Sequence, residues 1–152
     1  MKIEDQDRRI LRALQEDGRI SNQDLATKAA MSASACWRRV RALEDAGIIA
    51  GYTALVDAPK AGLGFHAVVY VRLARQEASC VEAFIAEIGR RPEVLDCFAT
   101  TGEADYHLRI RCRDIDAYNV FLDGVLFRLP GVANVRTSLV LKEIKHQTKL
   151  DV

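Results

Sequence analysis

The chain reads as an α+β protein of two parts, a small three-helix segment with a β-rich end followed by a βαββαβ segment. Two observations predict this. Apolar residues recur at helical spacing up to Gly47, and from His66 onward stretches of alternating polarity are interleaved with two further helical stripes. The stretch SNQDLATKAAMSASACWRRVRALEDAG, residues 21–47, organises the first part.

Ser21 followed by Asp24 is an N-capping pattern, and Leu25, Ala26 and Ala29 give the short helix behind it one apolar stripe. Met31 to Ser34 interrupt it with two candidate caps, Ser32 and Ser34. A second helix follows with Cys36, Val40 and Leu43 inside and Gly47 as its left-handed stop. With 100° per residue, Val40 and Leu43 lie within about 40° of Cys36, whereas Ser34, Arg38, Arg41 and Asp45 lie on the opposite side. Two short helices joined by a tight turn, the second with arginines and hydroxyls outward, fit a helix-turn-helix that enters a DNA major groove. A helical hairpin with a solvated charged face is the alternative from charge alone. Arg39 falls nearer the core stripe and is expected to pair with an acid of the first helix, Asp7 above all. Trp37 stands on the flank, where it could pack on the following β-rich stretch or on a sugar-phosphate backbone.

Before this stretch, Asp5 or Asp7 caps a helix with Ile10, Leu11 and Leu14 inside, ending before Gly18. After it, Ile48 to Val56 is β-rich and suits a small wing. Residues 1–57 form the expected first domain, 58–64 a Pro- and Gly-containing linker, and 65–152 the second domain.

In the second domain HAVVYVRLA is a strand. Ser79 with Glu82 makes a capping box for a helix whose inner residues are Val81, Phe84, Ile85 and Ile88. VLDCFAT and YHLRIRCR are strands joined by the TGEAD turn, the latter with Tyr106, Leu108, Ile110 and Cys112 on one face and His107, Arg109 and Arg111 on the other. Asp114 caps a helix carrying Tyr118, Phe121, Leu122, Val125 and Leu129 inward to a stop at Pro130-Gly131, and VANVRTSLVLKEIK is the last strand. This order is the ferredoxin-like split βαβ pattern, with both helices on one sheet face. Val68 and Tyr70 on the other face make a second copy the expected cover, against the alternative of an amphipathic face left in water.

With 152 residues, 49% of them apolar, the chain can bury a sizeable core. A net charge of +1 rules out DNA binding by bulk attraction, so phosphate contacts must come from a local patch, and the densest is SASACWRRVR. No apolar run approaches the roughly 18 to 20 residues of a membrane helix, and the start MKIEDQDRRI is unlike a secretory signal. A cytoplasmic protein without membrane attachment is expected. Cys36, Cys80, Cys97 and Cys112 form no CxxC pair and sit in apolar patterns, so they read as buried reduced thiols. His66, His107 and His146 complete no metal or Ser-His-acid spacing; no catalytic residue, metal or cofactor is expected.

Across nearly its whole length the chain resembles the leucine-responsive/asparagine-regulator (Lrp/AsnC) family of transcription regulators. The resemblance is carried in order by DQDRRILRALQEDGRISNQDLA, SASACWRRVRALEDAGIIAGYTALVD, TGEADYHL, LPGV and TSLVLKEIK. It departs at Ala35, where the family often has Pro, and at Trp37, where an aliphatic residue is usual. The resemblance implies a winged helix-turn-helix domain on double-stranded DNA, and the exposed front of the second helix makes Ser32, Ser34, Trp37, Arg38 and Arg41 the expected contacts. It also implies a second domain that binds a small amino acid and oligomerises as dimers that build tetramers or octamers. The matching effector positions are Thr101, Gly102, Glu103, Asp105 and Tyr106, with Thr137 and Ser138 of the last strand, and an apolar amino acid such as leucine or methionine is the expected ligand. An effector-independent architectural DNA-binding protein is the alternative.

Overall fold

The structure is a computed structural model that describes residues 2–74 and 77–152. The chain divides into two compact units. One comprises Met1–Leu55 together with Lys145–Val152, and the other Val56–Ile144.

The first unit holds α1 (Asp5–Glu16), α2 (Asn22–Ala29) and α3 (Ala33–Asp45). Its core is Ile10, Leu11 and Ala13 of α1, Leu25, Ala26 and Ala29 of α2, and Cys36 and Leu43 of α3, with Val40 partly buried against them. Ser21 caps α2 by accepting the Asp24 N–H, and Ser32 caps α3 by accepting that of Ala35. Gly47, at φ +68°, closes α3, and the Ile48 N–H reaches back to the Leu43 carbonyl at 2.9 Å. The cap of α1 is Glu4, not Asp5 or Asp7. Asp7 sits at the third helical position, where its carboxylate accepts the Glu4 N–H at 2.8 Å.

That carboxylate is fully buried, and it also accepts from Arg39 Nε at 2.5 Å and Arg39 Nη2 at 2.7 Å. The expected Arg39–Asp7 pair therefore locks α3 onto α1 in a fork geometry, with Glu4 adding a second acid 3.1 Å from Arg39. The Arg39 guanidinium holds the Asp7 carboxyl below the ordinary range, against the opposing effect of burial.

Two features of this unit differ from the sequence reading. Residues 48–56 form no strand, because a β-rich stretch has no ladder partner among the described residues of the single chain. The tail returns to α1. Gln15 and Leu150 exchange two hydrogen bonds, Arg12 Nε donates to the Val152 carbonyl at 2.8 Å, and Lys149 Nζ meets Glu16 at 2.9 Å.

The second unit is a four-stranded antiparallel sheet of β1 (Phe65–Leu73), β2 (Val94–Ala99), β3 (Tyr106–Cys112) and β4 (Val132–Leu139), in the order β2-β3-β1-β4. α4 (Ala78–Ile88) and α5 (Ile115–Gly124) complete the βαββαβ sequence. The strand order is the ferredoxin-like one, with the first and third strands central. Alternation sends Ala67, Val69, Val71, Leu108 and Ile110 toward Phe84 and Ile88 of α4 and Tyr118 and Phe121 of α5. On the opposite face Tyr70 pairs across the sheet with His107 and Arg136, and Val68 with Arg109 and Ser138.

Several local expectations are corrected here. Glu77, not Ser79, is the N-cap of α4, so the Ser79–Glu82 pair lies two residues too late to form a capping box. Ile85 is exposed, while Phe84 and Ile88 carry the burial of that helix. α5 stops at Gly124, because Val125 leaves helical geometry at φ −123°, ψ −73°, and a 3₁₀ turn, Leu126–Arg128, then brings the chain to Gly131 at φ +83°. β4 ends at Leu139, short of the expected LKEIK. Of the cysteines, Cys36 and Cys112 are buried, Cys80 is half-buried and Cys97 is exposed on the edge strand β2.

Candidate functional site

In the first unit the candidate residues cluster on the outward face of α3. Ser32, Ser34, Trp37, Arg38 and Arg41 are all exposed. The start of α3 is held by its cap and by Asn22, whose Nδ2 donates to the Ala33 carbonyl at 3.0 Å and so ties the first turns of α2 and α3 together. Between them Ala30 takes the left-handed conformation, φ 54°, ψ 50°, which lets the Met31 N–H return to the Ala26 carbonyl and turns the chain sharply. Trp37 is 54% exposed, and its ring is covered by the Arg41 guanidinium, 5.5 Å from the centroid. Asn22 was missed in the sequence, since an amide eleven residues from its acceptor leaves no periodic signal.

In the second unit the TGEAD turn joins β2 to β3. Thr100 Oγ1 donates to the Ala104 carbonyl, its N–H to the Asp105 carbonyl, and Gly102 sits at φ +118°, a conformation that L side chains rarely adopt. The expected effector residues separate at this turn. Thr101, Gly102 and Glu103 are exposed, whereas the Asp105 carboxylate accepts the Leu73 N–H at 2.7 Å and the Tyr106 ring packs 4.6 Å from that of Phe84.

The turn is a wall between two cavities. One, of about 420 Å³, is lined by Tyr70, Arg72, Glu103, Ala104, Asn134 and Arg136; there Arg136 stacks on Tyr70 at 4.6 Å and lies 3.8 Å from Glu103. The other, of about 340 Å³, has apolar walls from Leu73, Val81, Ala99 and Tyr106, with Thr100 and Asp105 as polar groups. Thr137 and Ser138 line neither. As consecutive residues of one strand they face opposite sides, and the Thr137 hydroxyl is 2.5 Å from the Tyr118 hydroxyl on the helix side. Arg72, Asn134 and Arg136 were not singled out in the sequence, because isolated polar residues on an outward strand row look like solvated surface.

A helix-turn-helix unit followed by a ferredoxin-like unit with a walled turn defines the architecture of a ligand-responsive transcription regulator. The comparisons agree over both units. Residues 3–50 match the profile of the winged helix-turn-helix DNA-binding domain, and residues 66–150 that of the Lrp/AsnC ligand binding domain. The chain is 39% identical over 144 residues to the leucine-responsive regulatory protein of Salmonella typhimurium, covering 95% of this chain and 88% of that one. It is 40% identical over 138 residues to the Bkd operon transcriptional regulator of Pseudomonas aeruginosa, covering 91% and 90%. Among solved structures, a transcriptional regulator of Neisseria meningitidis in complex with L-methionine superposes with TM-score 0.93 at 42% identity, over 98% of this chain and 96% of that one. The protein belongs to the Lrp/AsnC family of transcriptional regulators, with a helix-turn-helix DNA-binding domain and a C-terminal ligand-binding domain. No helix among the described residues is long and apolar enough to cross a membrane.

Proposed function

We propose that this regulator reads double-stranded DNA through Ser32, Ser34, Trp37, Arg38 and Arg41 and alters its hold on DNA when a free apolar amino acid binds beside the 100–105 turn. The observation that carries the ligand reading is the apolar cavity closed by that turn, where Leu73, Val81 and Tyr106 suit an apolar side chain beside the polar Thr100 and Asp105. The Asp105 carboxylate, which accepts the Leu73 N–H, is the acid on the wall of that cavity and the proposed partner of the ligand's ammonium. Gly102, exposed at the tip of the turn, is the proposed point of approach of a second copy, and Glu103 lies on the other side of the turn beside Arg136. Two relatives support methionine or a similar side chain. The N. meningitidis regulator and a feast or famine regulatory protein of M. tuberculosis, 28% identical with TM-score 0.89, were each solved with L-methionine.

The assembly we propose is a dimer through the helix-free sheet face, where Val68 and Tyr70 are half-buried and Phe98 is exposed, with dimers building tetramers or octamers in the cytoplasm. Two recognition helices on one dimer then demand half-sites about one helical turn, or a multiple of it, apart.

Calorimetric titration with L-methionine, L-leucine and the other standard amino acids tests the ligand site. Binding by the wild type, lost on Val81→Trp, which fills the cavity, and weakened by Asp105→Ala, is the expected result. Binding that survives Val81→Trp unchanged in a folded protein places the pocket elsewhere, and no binding by any amino acid leaves an architectural DNA-binding protein.

A further inference from the structure

Arg41 and Arg38 share the outward face of α3 but differ in what holds them. Arg38 is exposed and carries no hydrogen bond or ion pair among the described residues. Arg41 is engaged on both sides. One turn earlier its guanidinium lies over Trp37, and one turn later its Nη1 stands 3.3 Å from Glu44 Oε2. Glu44 is itself oriented, because its other oxygen accepts the Tyr52 hydroxyl at 3.0 Å. Burial, and then the Glu44 carboxylate, push the Tyr52 phenol up from its ordinary pKa. Trp37, Arg41, Glu44 and Tyr52 therefore form one line of contacts from the recognition face to the stretch that leads out of the DNA-binding unit.

We propose that Glu44, oriented by Tyr52, is a positioning residue that competes with DNA phosphate for Arg41 and so sets the protein's affinity for DNA of any sequence. This rests on the reading of α3 as the DNA-contact helix. The physics favours exchange over blockade. An exposed ion pair at this separation is weak, whereas a duplex presents a dense row of phosphates whose counterions are released on contact. DNA can take Arg41 from Glu44, but each such contact leaves a carboxylate near the phosphates, and all sequences bear that penalty equally. Sequence choice then falls to Arg38 and the hydroxyls at the front of the helix. Tyr52 adds a control point, since any rearrangement of residues 50–55 that withdraws its hydroxyl loosens the hold of Glu44 on Arg41.

The test is the affinity of the full-length protein for a random-sequence duplex as a function of salt, for the wild type, Glu44→Gln, Tyr52→Phe, Arg41→Ala and the Glu44→Gln/Arg41→Ala double variant. Glu44→Gln should bind roughly threefold tighter with a salt slope steeper by up to about 0.9, because no freed carboxylate then takes back a cation released by the Arg41 contact. Tyr52→Phe should move the same way by less, and the gain should vanish in the Arg41→Ala background. A Glu44→Gln protein that binds no tighter, while Arg41→Ala binds more weakly, overturns the competition and leaves the helix assignment standing. A gain that persists without Arg41 shows general charge repulsion and also overturns it. If Arg41→Ala changes neither affinity nor slope, Arg41 makes no phosphate contact, and the proposal fails together with that assignment.

Discussion

Replacing Asp7 by Asn removes the charge from the one fully buried acid of the DNA-binding unit. Asp7 accepts three hydrogen bonds, two from Arg39 and one from the Glu4 backbone. Asparagine keeps one acceptor oxygen but turns an amide donor toward the guanidinium. A hydrogen bond to a charged group contributes about 1.5 to 3 kcal/mol, and removing one partner of a buried ion pair costs about 3 to 5 kcal/mol. Glu4 remains 3.1 Å from Arg39 and offsets part of the loss, so a net cost of about 2 to 3 kcal/mol is expected at neutral pH. For a unit of this size that is a fall of roughly 10 to 20 °C in its melting temperature. The pH dependence has a definite sign. The folded-state pKa of Asp7 is lowered, so its contribution is fully present above the ordinary Asp range and is lost as pH falls below that range toward the depressed value. The gap between wild type and Asp7→Asn should therefore be widest at neutral pH and close in acid. Thermal unfolding followed by circular dichroism from neutral to acidic pH measures both. A variant within about 0.5 kcal/mol of wild type at neutral pH, the scatter of ordinary surface changes, would refute the lock between α1 and α3.

Other expectations follow from the same structure. Removing residues 148–152 strips the Gln15–Leu150 bonds and the packing of Val152 on the helical core, and should lower the first unit's stability by about 1 kcal/mol, read by chemical denaturation. Ala30→Gly relieves a left-handed alanine and should stabilise by about 0.5 kcal/mol after the entropy of glycine is counted, whereas Ala30→Val should destabilise by about 2 kcal/mol; the same measurement separates them. Tyr70→Asp places a charge on the helix-free sheet face and should shift the proposed dimer to monomer in sedimentation, with Arg8→Asp on α1 unchanged as control.

What the sequence made legible was what periodicity and local chemistry encode. The stripes of α1, α2 and α3, the caps at Ser21, Ser32 and Asp114, the Gly47 stop and the alternation of β3 all recur in the structure. The Arg39–Asp7 pair was legible as well, because an arginine near a buried stripe demands an acid. Long-range placement was not. Leu150 and Val152 reach α1 through their backbone groups, which leave no pattern in a polar tail. Ile85 continues an apolar stripe, yet a helix packed on a sheet buries a narrower band than the stripe it presents. The residues proposed for the effector read as one motif in the sequence, but strand alternation and the walls of the turn divide them. Asp105 and Tyr106 go to the apolar cavity, Glu103 to the helix-free side, and Thr137 and Ser138 to opposite faces of β4.

The central claim is that one chain couples an amino acid to DNA. Fluorescence anisotropy of a labelled duplex selected from a random pool for binding by this protein, titrated at fixed salt with and without saturating L-methionine, tests it most directly. The account predicts DNA binding that L-methionine, or another apolar amino acid in the same assay, shifts roughly 5- to 150-fold, the span of a coupling of about 1 to 3 kcal/mol, and a shift that disappears in Val81→Trp. DNA binding that no amino acid alters, or an equal shift in Val81→Trp, would contradict it.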